Sequence, residues 1–387
     1  MARIVAWLMI AVLGVVTIGL GAGGWYYSDQ LLPAPIPGDP VYDVAVLASD
    51  EAAGTVELDL SDGDLVELGT VGLLTSNGTV VLEGPSERRG ASTSRSGVLL
   101  EGDWPRPGDL AAASVDTFAG DPASTLGLTF DEVSVPSELG VLPAWRRVPN
   151  GSATDQTWAI LIHGRGSGLA ESNRILTTID DLGVPSLTIS IRNDPDAAAD
   201  PDGFGRYGDA EWEDLQAAID HLRAVEGAQR FVLVGYSQGG SIALSFLRRS
   251  PDADQVTAAV LISPLVSLHE TLVLQAEARN IPDPVIPPLL AATRWITTLR
   301  SGLDFDQVEH LERRDELPDI PMLLTHGDAD ATIPIGPTRE LADALPDRVT
   351  YEEYEDTDHV REWNADRERF EDDLRRFLDA VVLAPVG

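Results

Sequence analysis

The 387-residue sequence contains 63 acidic and 27 basic side chains, which gives a formal net charge of −36. It has no cysteine, and every basic residue is an arginine. The absence of lysine excludes a Walker phosphate loop, a Schiff-base aldolase, a pyridoxal enzyme and a Ser–Lys dyad. The absence of cysteine excludes thiol nucleophiles, disulfides and Cys-ligated zinc. The negative charge repels phosphate backbones, so we expect no nucleic-acid partner.

The chain opens with an apolar segment. Residues 4–24 carry no charge, and a helix of that length covers roughly 30 Å, the thickness of the hydrocarbon core of a bilayer. Arg3 precedes the segment and the next basic residue is Arg88, so the positive-inside rule predicts a cytoplasmic amino end. We predict a single-pass anchor at 1–28 in the cell membrane with an extracytoplasmic body.

A cleaved signal peptide, which would release a secreted protein, is the alternative interpretation of this segment, although its apolar core would normally be shorter, at about 7–15 residues. The following sequence LLPAPIPGDP is rich in proline. We therefore predict a semi-rigid spacer at 29–40 between the anchor and the body.

Residues 41–120 are predicted to form a small β-rich accessory region. The run TVELDL alternates apolar and polar residues, and GLLTSNGTVVLEG places Asn77-Gly78 between two apolar runs. An Asn-Gly pair in that position is a strong signal for a two-residue hairpin turn. No catalytic constellation is recognisable in this region.

From about residue 121 to 387, short apolar runs alternate with helical segments. This alternation predicts a mostly parallel sheet with helices on both faces. Residues 265–318 break the alternation with three helical stretches, HETLVLQAEARN, PLLAATRWITTL and DFDQVEHLERR, and no clear strand. An insertion at the carboxyl edge of such a sheet is placed to cover a pocket, so we predict a helical cap. The strand predictions in chain order are GLTFDEVSV, LGVLPAWRRV, WAILIH, SLTISI, FVLVG, VTAAVLIS, PMLLTH and VTYEEY.

The pentapeptide GYSQG, centred on Ser237, matches the G-x-S-x-G pattern. The pattern alone is weak, but here a buried strand precedes it and a helix follows it. Such a tight strand-to-helix turn strains the central residue and projects its hydroxyl above the sheet. We therefore predict that Ser237 is a nucleophile.

A serine nucleophile needs a base and a carboxylate that orients the base. His359 lies in the loop EDTDHVREWN after the last predicted strand, where the base belongs in the chain order Ser, acid, His. The run THGDADATIP supplies the acid. Asp330 is favoured over Asp328 because it lies further beyond the strand, where the loop can turn inward, while His326 is expected to be a turn or packing residue.

An oxyanion needs two backbone donors. We expect one from Gln238, after the nucleophile, and the other from Arg165, in the loop after WAILIH. A dinucleotide-binding loop, with Asp180-Asp181 as the acidic pair, is a rival interpretation of GRGSG, but it leaves Ser237, Asp330 and His359 unexplained.

The segment Arg192-Asn193-Asp194 ends the predicted strand SLTISI beside the expected site. It is interpreted as structural, with Arg192 paired to Glu211 or Asp214, and a substrate-orienting role is the alternative.

The motifs LIHGRGS, GYSQGG, THGDAD and DHVREWN, in this order, resemble the α/β-hydrolase superfamily. The wider run from about 117 to 383 resembles bacterial, often membrane-anchored members of its esterase-like and prolyl-oligopeptidase-like branches. The resemblance implies Ser237 as nucleophile, Asp330 as acid, His359 as base, and amides of Arg165 and Gln238 as oxyanion donors. Gln238 departs from the Met often seen there, but its backbone supplies the contact.

Together these patterns predict a serine hydrolase that cleaves a carboxylic ester of a small acyl substrate, with no metal and no organic cofactor. Peptide-bond hydrolysis, acyl transfer to an alcohol, and a non-catalytic scaffold with a hydrolase fold are the alternatives. The apolar cap sequence PVIPPLLAA favours an acyl chain. The sequence does not determine the oligomeric state.

Overall fold

A computed structural model of the protein describes residues 2–36, 38–60, 65–151 and 156–382. Pro37 of the predicted spacer and the last five residues of the predicted 121–387 domain lie outside this range. Three parts follow one another along the chain: an amino-terminal helix, a six-stranded barrel, and an eight-stranded sheet covered by helices.

The amino-terminal helix α1 spans Ala2–Leu31. Its apolar window has a mean hydropathy of 2.5, and it is long and apolar enough to cross a membrane, a criterion that a signal sequence would also meet. The helix continues past residue 28, Leu32 is fully buried, and Pro33 pairs with Phe204. The predicted spacer at 29–40 is therefore wrong at its start, because residues 29–33 are docked on the body.

The accessory region forms a closed barrel with strand order β1-β2-β5-β4-β3-β6. Alternate side chains point inward, so Val46, Leu58, Leu73 and Leu82 form its buried core. The strands are β1 Val44–Asp50, β2 Thr55–Asp59, β3 Val71–Thr75, β4 Gly78–Arg89, β5 Ser92–Gly102 and β6 Leu110–Ser114.

The hairpin between β3 and β4 lies where the sequence predicts it, but Asn77-Gly78 is not its two-residue turn. Gly78 already belongs to β4, and neither Asn77 nor Gly78 has a positive φ. A Cβ at Gly78 would lie 2.4 Å from the carbonyl oxygen of Asp103. Glycine is therefore required there by close packing against the chain after β5, and not by a turn of the I′ type.

The large sheet has strand order β14-β13-β12-β11-β9-β10-β8-β7. Strands β9 to β14 run parallel to one another, whereas β8 runs antiparallel to β7 and β10. The fold class predicted from the alternating pattern is therefore confirmed. The strands are β7 Asp131–Ser137, β8 Gly140–Arg147, β9 Thr157–Ile162, β10 Ser186–Ile189, β11 Arg230–Tyr236, β12 Val256–Ile262, β13 Met322–Gly327 and β14 Val349–Tyr354.

Both faces of the sheet are covered because its central strands are apolar throughout. Ile160 and its alternate neighbours contribute to one core with α4 and α5, and Leu161 contributes to the other with α3 and α10. The helices are α2 Pro122–Leu126, α3 Asn173–Asp181, α4 Trp212–Glu226, α5 Gln238–Arg249, α6 Leu268–Ala278, α7 Ile286–Ser301, α8 Gly336–Ala344, α9 Glu362–Ala365 and α10 Arg367–Val382.

The predicted cap consists of α6, α7 and the connection back to β13. Its third predicted helical stretch, DFDQVEHLERR, is not an α-helix. It contains a 3₁₀ turn at Phe305–Val308, and a second 3₁₀ turn, Arg314–Glu316, begins at its last residue. The buried Glu309 accepts hydrogen bonds from the Ser267 hydroxyl and the His269 amide. These contacts hold the chain in an extended pairing with Ser267, which a continuous helix would not allow.

Candidate active site

Ser237 sits at the turn between β11 and α5 with φ 50° and ψ −111°, a conformation that is strained for a residue with a side chain. The neighbouring glycines make the turn sterically feasible. A Cβ at Gly235 would lie 2.5 Å from the Gly239 backbone, and one at Gly239 would lie 2.2 Å from the Ile162 carbonyl oxygen. The Ser237 amide donates to Ile262 of β12, 2.9 Å away, so the elbow is attached to the sheet.

His359 lies in the loop between β14 and α9, and its Nε2 is 2.9 Å from the Ser237 hydroxyl oxygen. The next residue, Val360, has φ 55°, which is unusual for a β-branched side chain. Two contacts hold it: its amide donates to the Ser263 hydroxyl and its carbonyl accepts from the Arg174 guanidinium. The loop is thus fixed immediately after the imidazole.

Asp330 lies beyond β13, and its Oδ2 is 2.6 Å from Nδ1 of His359. Its other oxygen accepts the amides of Thr332 and Ile333, at 2.8 Å each. Burial raises the pKa of the Asp330 carboxyl, but hydrogen bonds from His326 and His359 outweigh it and hold that pKa well below its usual range. The carboxylate is therefore ionised and can orient the imidazole.

His326 is more than the packing residue that the sequence analysis expected. Its side chain is fully buried and its Nε2 lies 3.0 Å from the same Asp330 oxygen that His359 contacts. A carboxylate only accepts, so Nε2 donates, and Nδ1 faces the Thr338 hydroxyl at 3.0 Å. In the sequence, His326 and Asp330 lie four residues apart. That spacing did not predict a contact between them, because the intervening residues form a turn.

The loop after β9 passes next to the nucleophile, since a Cβ at Gly164 would lie 3.2 Å from that of Ser237. The Gly164 amide is already used, because it donates to the buried Glu171 carboxylate at 2.7 Å. The Arg165 amide has no acceptor among the described residues. Gln238, as the first residue of α5, has no intrahelical acceptor for its amide either. The two amides predicted as oxyanion donors are thus not used by another acceptor among the described residues.

The other polar groups singled out in the sequence have structural partners. The Arg192 guanidinium forms two hydrogen bonds of 2.9 Å to the buried Asp214, one of the two partners anticipated for it. Asp180, the first residue of the acidic pair in the dinucleotide alternative, is held by the Arg147 guanidinium at 2.7 and 3.1 Å. Neither residue is therefore free to hold a ligand.

His163, at the start of the loop after β9, has an acceptor at each ring nitrogen. Nδ1 is 2.8 Å from the Gly164 carbonyl oxygen and Nε2 is 2.7 Å from the Asp194 carboxylate. Both nitrogens donate only in the imidazolium form. Burial alone lowers the pKa of His163, but the Asp194 carboxylate outweighs it and raises that pKa to about 9. This cation braces the loop that carries Arg165.

A cavity of about 470 Å³ opens above Ser237 and His359. The cap contributes mostly apolar walls, among them Leu272, Ala276 and Leu289. The end of α1 contributes Tyr27, Gln30 and Leu31, which the sequence analysis missed. No sequence signal could have shown this contribution, because it depends on how α1 docks on the cap. Among the described residues, no group of three or more His, Cys, Asp or Glu side chains is arranged to hold a metal ion.

Comparisons with known proteins agree with this architecture. Residues 198–301 match the family model described as serine aminopeptidase, S33. The structure is similar to an esterase of Pyrococcus furiosus, Pf2001, with a TM-score of 0.53 and 19% identity, covering 68% of this chain and 94% of that one. The chain has the α/β-hydrolase fold. The fold that the resemblance to the α/β-hydrolase superfamily implied is thereby confirmed.

Two further solved structures share this fold. The 2,6-dihydroxy-pseudo-oxynicotine hydrolase has a TM-score of 0.51 and 17% identity, covering 67% of this chain and 70% of that one. DcsB, solved with its substrate analogue, has a TM-score of 0.51 and 15% identity. The match covers 66% of this chain and 100% of DcsB. No curated protein sequence matches the chain significantly. These likenesses, at 19% identity or less, show the fold.

Proposed function

We propose that this chain is a serine hydrolase that cleaves carboxylic esters through an acyl-enzyme. The observation that carries the proposal is the continuous hydrogen-bonded chain from the Ser237 hydroxyl through the His359 imidazole to the Asp330 carboxylate, with distances of 2.9 and 2.6 Å. A hydroxyl is a poor nucleophile until a base accepts its proton. These hydrogen bonds supply a base, His359, that is held in the correct tautomer.

In this mechanism, Ser237 Oγ attacks the ester carbonyl carbon while Nε2 of His359 takes the hydroxyl proton. The tetrahedral oxyanion accepts hydrogen bonds from the amides of Arg165 and Gln238. The alcohol leaves with the proton from His359, and the acyl group remains on Ser237. A water molecule, deprotonated by the same imidazole, then attacks the acyl carbonyl and releases the carboxylic acid.

The pocket favours an ester over a peptide with a free amino terminus. Its described walls carry the cations Arg165 and Arg279 but no Asp or Glu side chain. A substrate ammonium bound there would lose its hydration without gaining an ion pair, which is costly. Aminopeptidase activity, the description of the matching family model, is therefore the second candidate for this chain. Acyl transfer uses the same intermediate with an alcohol in place of water.

The test is labelling of the full-length protein with a serine-directed fluorophosphonate, followed by an activity panel. We expect the label on Ser237, its loss in Ser237→Ala, and hydrolysis of 4-nitrophenyl esters in preference to aminoacyl 4-nitroanilides. Ser245→Ala, on the helix that follows the elbow, is the matched control because its hydroxyl is buried away from the pocket. A folded wild-type protein that neither labels nor hydrolyses any ester would identify a scaffold instead. Faster turnover of the anilides would identify a peptidase.

A further inference from the structure

An apolar groove lies between α1 and the cap, beside the catalytic pocket. One wall is formed by α1, including Gly19, Leu20 and Gly23, and the other by the start of α7 and the loop before it, including Val285, Pro288 and Leu289. The α1 residues are spaced so that they share one helix face. The described residues that line the groove include no charged side chain.

The groove continues into the catalytic pocket. Tyr27, Ile281 and Leu289 line both cavities, so they mark the position where the two meet. At its other end the groove reaches Val16 and Leu20, within the part of α1 that is long and apolar enough to cross a membrane. An apolar path therefore connects the part of α1 around Val16 and Leu20 with Ser237.

The helix wall of this path is firmly attached to the cap. A Cβ at Gly24 would lie 2.9 Å from the backbone of Ala292, so the two helices are in close contact there. Next to this contact, Arg300 pairs with Asp29 at 2.6 Å, donates to the Ser28 hydroxyl at 3.0 Å and lies over the Trp25 ring. The groove is thus a built feature of the tertiary structure.

Large aromatic side chains are exposed around this contact. Trp25 and Tyr26 on α1 and Trp295 on α7 are 54%, 59% and 67% exposed. Tryptophan and tyrosine prefer the boundary between hydrocarbon and water. If α1 spans the membrane, their position at its end would place the cap at the membrane surface, with the groove opening into the bilayer.

We propose that the substrate is a long-chain lipid ester of the membrane, and that its acyl chain enters the catalytic pocket from the bilayer through this groove. The inference rests on the proposed esterase function and adds the substrate class. The hydrocarbon chain stays in apolar surroundings throughout, which removes the cost of bringing it through water. Ser237 Oγ forms the new bond to the acyl carbon, the ester C–O bond breaks, and the head-group alcohol leaves with a proton from His359; water then releases the fatty acid.

The experiment compares two full-length variants reconstituted in phosphatidylcholine vesicles, Gly19→Phe and Gly21→Phe. Both glycines lie on α1 with open space around the missing Cβ, but only Gly19 lines the groove. The substrates are 4-nitrophenyl palmitate in the vesicles and soluble 4-nitrophenyl butyrate. Because a filled groove blocks only the long chain, we expect kcat/KM for palmitate to fall about tenfold or more in Gly19→Phe and less than about twofold in Gly21→Phe. Butyrate hydrolysis stays within about twofold in both variants.

A second pair of variants tests the groove from the cap side. Val285→Trp fills the opposite wall, and Val225→Trp places the same side chain at an exposed position of α4, away from both cavities. We expect the same selective loss of palmitate hydrolysis in Val285→Trp alone. Equal palmitate rates in all four variants, or wild-type hydrolysis of butyrate but not palmitate, would overturn the inference and leave the esterase function standing. Absence of both hydrolysis and fluorophosphonate labelling in the wild type would instead overturn the proposed function.

Discussion

The Arg165 side chain donates a hydrogen bond to the carbonyl oxygen of Leu31, with 2.9 Å between Nη2 and the oxygen. The same nitrogen lies 2.6 Å from the Pro33 carbonyl oxygen, and the guanidinium stacks on the Tyr207 ring. Tyr207 in turn donates to the Leu31 carbonyl at 2.9 Å. The loop proposed to supply an oxyanion donor is therefore tied directly to the end of the apolar helix.

Arg165→Met tests this tie, because it keeps the backbone amide and removes the side-chain hydrogen bonds. The loop then loses part of its support, and an amide displaced by a fraction of an ångström stabilises the oxyanion less. We expect kcat for a short ester to fall about tenfold with little change in KM. Arg294→Met on the outer cap is the matched control, since among the described residues Arg294 pairs with surface Asp306 and the Phe305 ring. Equal kcat values for the two variants would contradict the expectation.

Asp330→Asn tests the orientation of the base. An asparagine amide turned towards His359 favours the wrong tautomer, so the proton of Ser237 is no longer accepted. We expect kcat to fall by roughly 10⁴ while substrate binding is retained. Asp328→Asn changes the neighbouring exposed carboxylate and serves as control. If Asp328→Asn were the more damaging substitution, the role of the acid would have to be reassigned from Asp330 to Asp328.

His326 is expected to act as a positioning residue through Asp330. Removing its donor in His326→Phe leaves the carboxylate held by His359 and the loop amides alone, so its orientation relaxes. We expect kcat to fall about tenfold at unchanged KM, and His326→Gln, which retains a donor, to recover part of it. A uniform loss of folded protein without a specific kcat effect would assign His326 to packing only. Thermal unfolding of each purified variant separates the two outcomes.

The pair of His163 and Asp194 predicts a pH dependence of stability. The pKa of His163 is raised to about 9 in the folded protein, above the roughly 6.5 of an unfolded chain. The contribution of the charged His163 to the free energy of unfolding is therefore complete below the pKa of the unfolded chain. It is lost as the pH rises through about 9. We expect Asp194→Asn to reduce the free energy of unfolding by on the order of 2 kcal/mol at pH 6 and by much less at pH 10. Denaturant titrations of both proteins at the two pH values measure this difference, and a constant difference would refute the assignment.

Much of the fold followed from local patterns. The apolar runs FVLVG and VTAAVLIS predicted buried parallel strands, and the structure has β11 and β12 there. Ser237, Asp330 and His359 were selected because each follows a strand end. The carboxyl ends of parallel strands meet at one edge, so this ordering predicted their proximity from the topology alone.

Contacts that depend on docking were not predicted. The sequence suggested a spacer at 29–40, but residues 29–33 pack on the body because Arg165 and Tyr207, more than a hundred positions away, bind their carbonyls. The third cap helix was predicted from composition and is instead 3₁₀ turns, because Glu309 pairs with residues near the start of α6. Asn77-Gly78 carries a turn signal, yet Gly78 is needed for packing against Asp103.

The sequence by itself determined the apolar helix, the parallel sheet, the strained elbow at Ser237 and the order of the acid and base, because these depend on residue type, period and position relative to strand ends. Only the tertiary structure decided that both His326 and His359 contact one oxygen of Asp330. The same holds for the groove between α1 and the cap that opens into the catalytic pocket. These relationships join residues far apart along the chain, and packing geometry, which no local pattern encodes, brings them together.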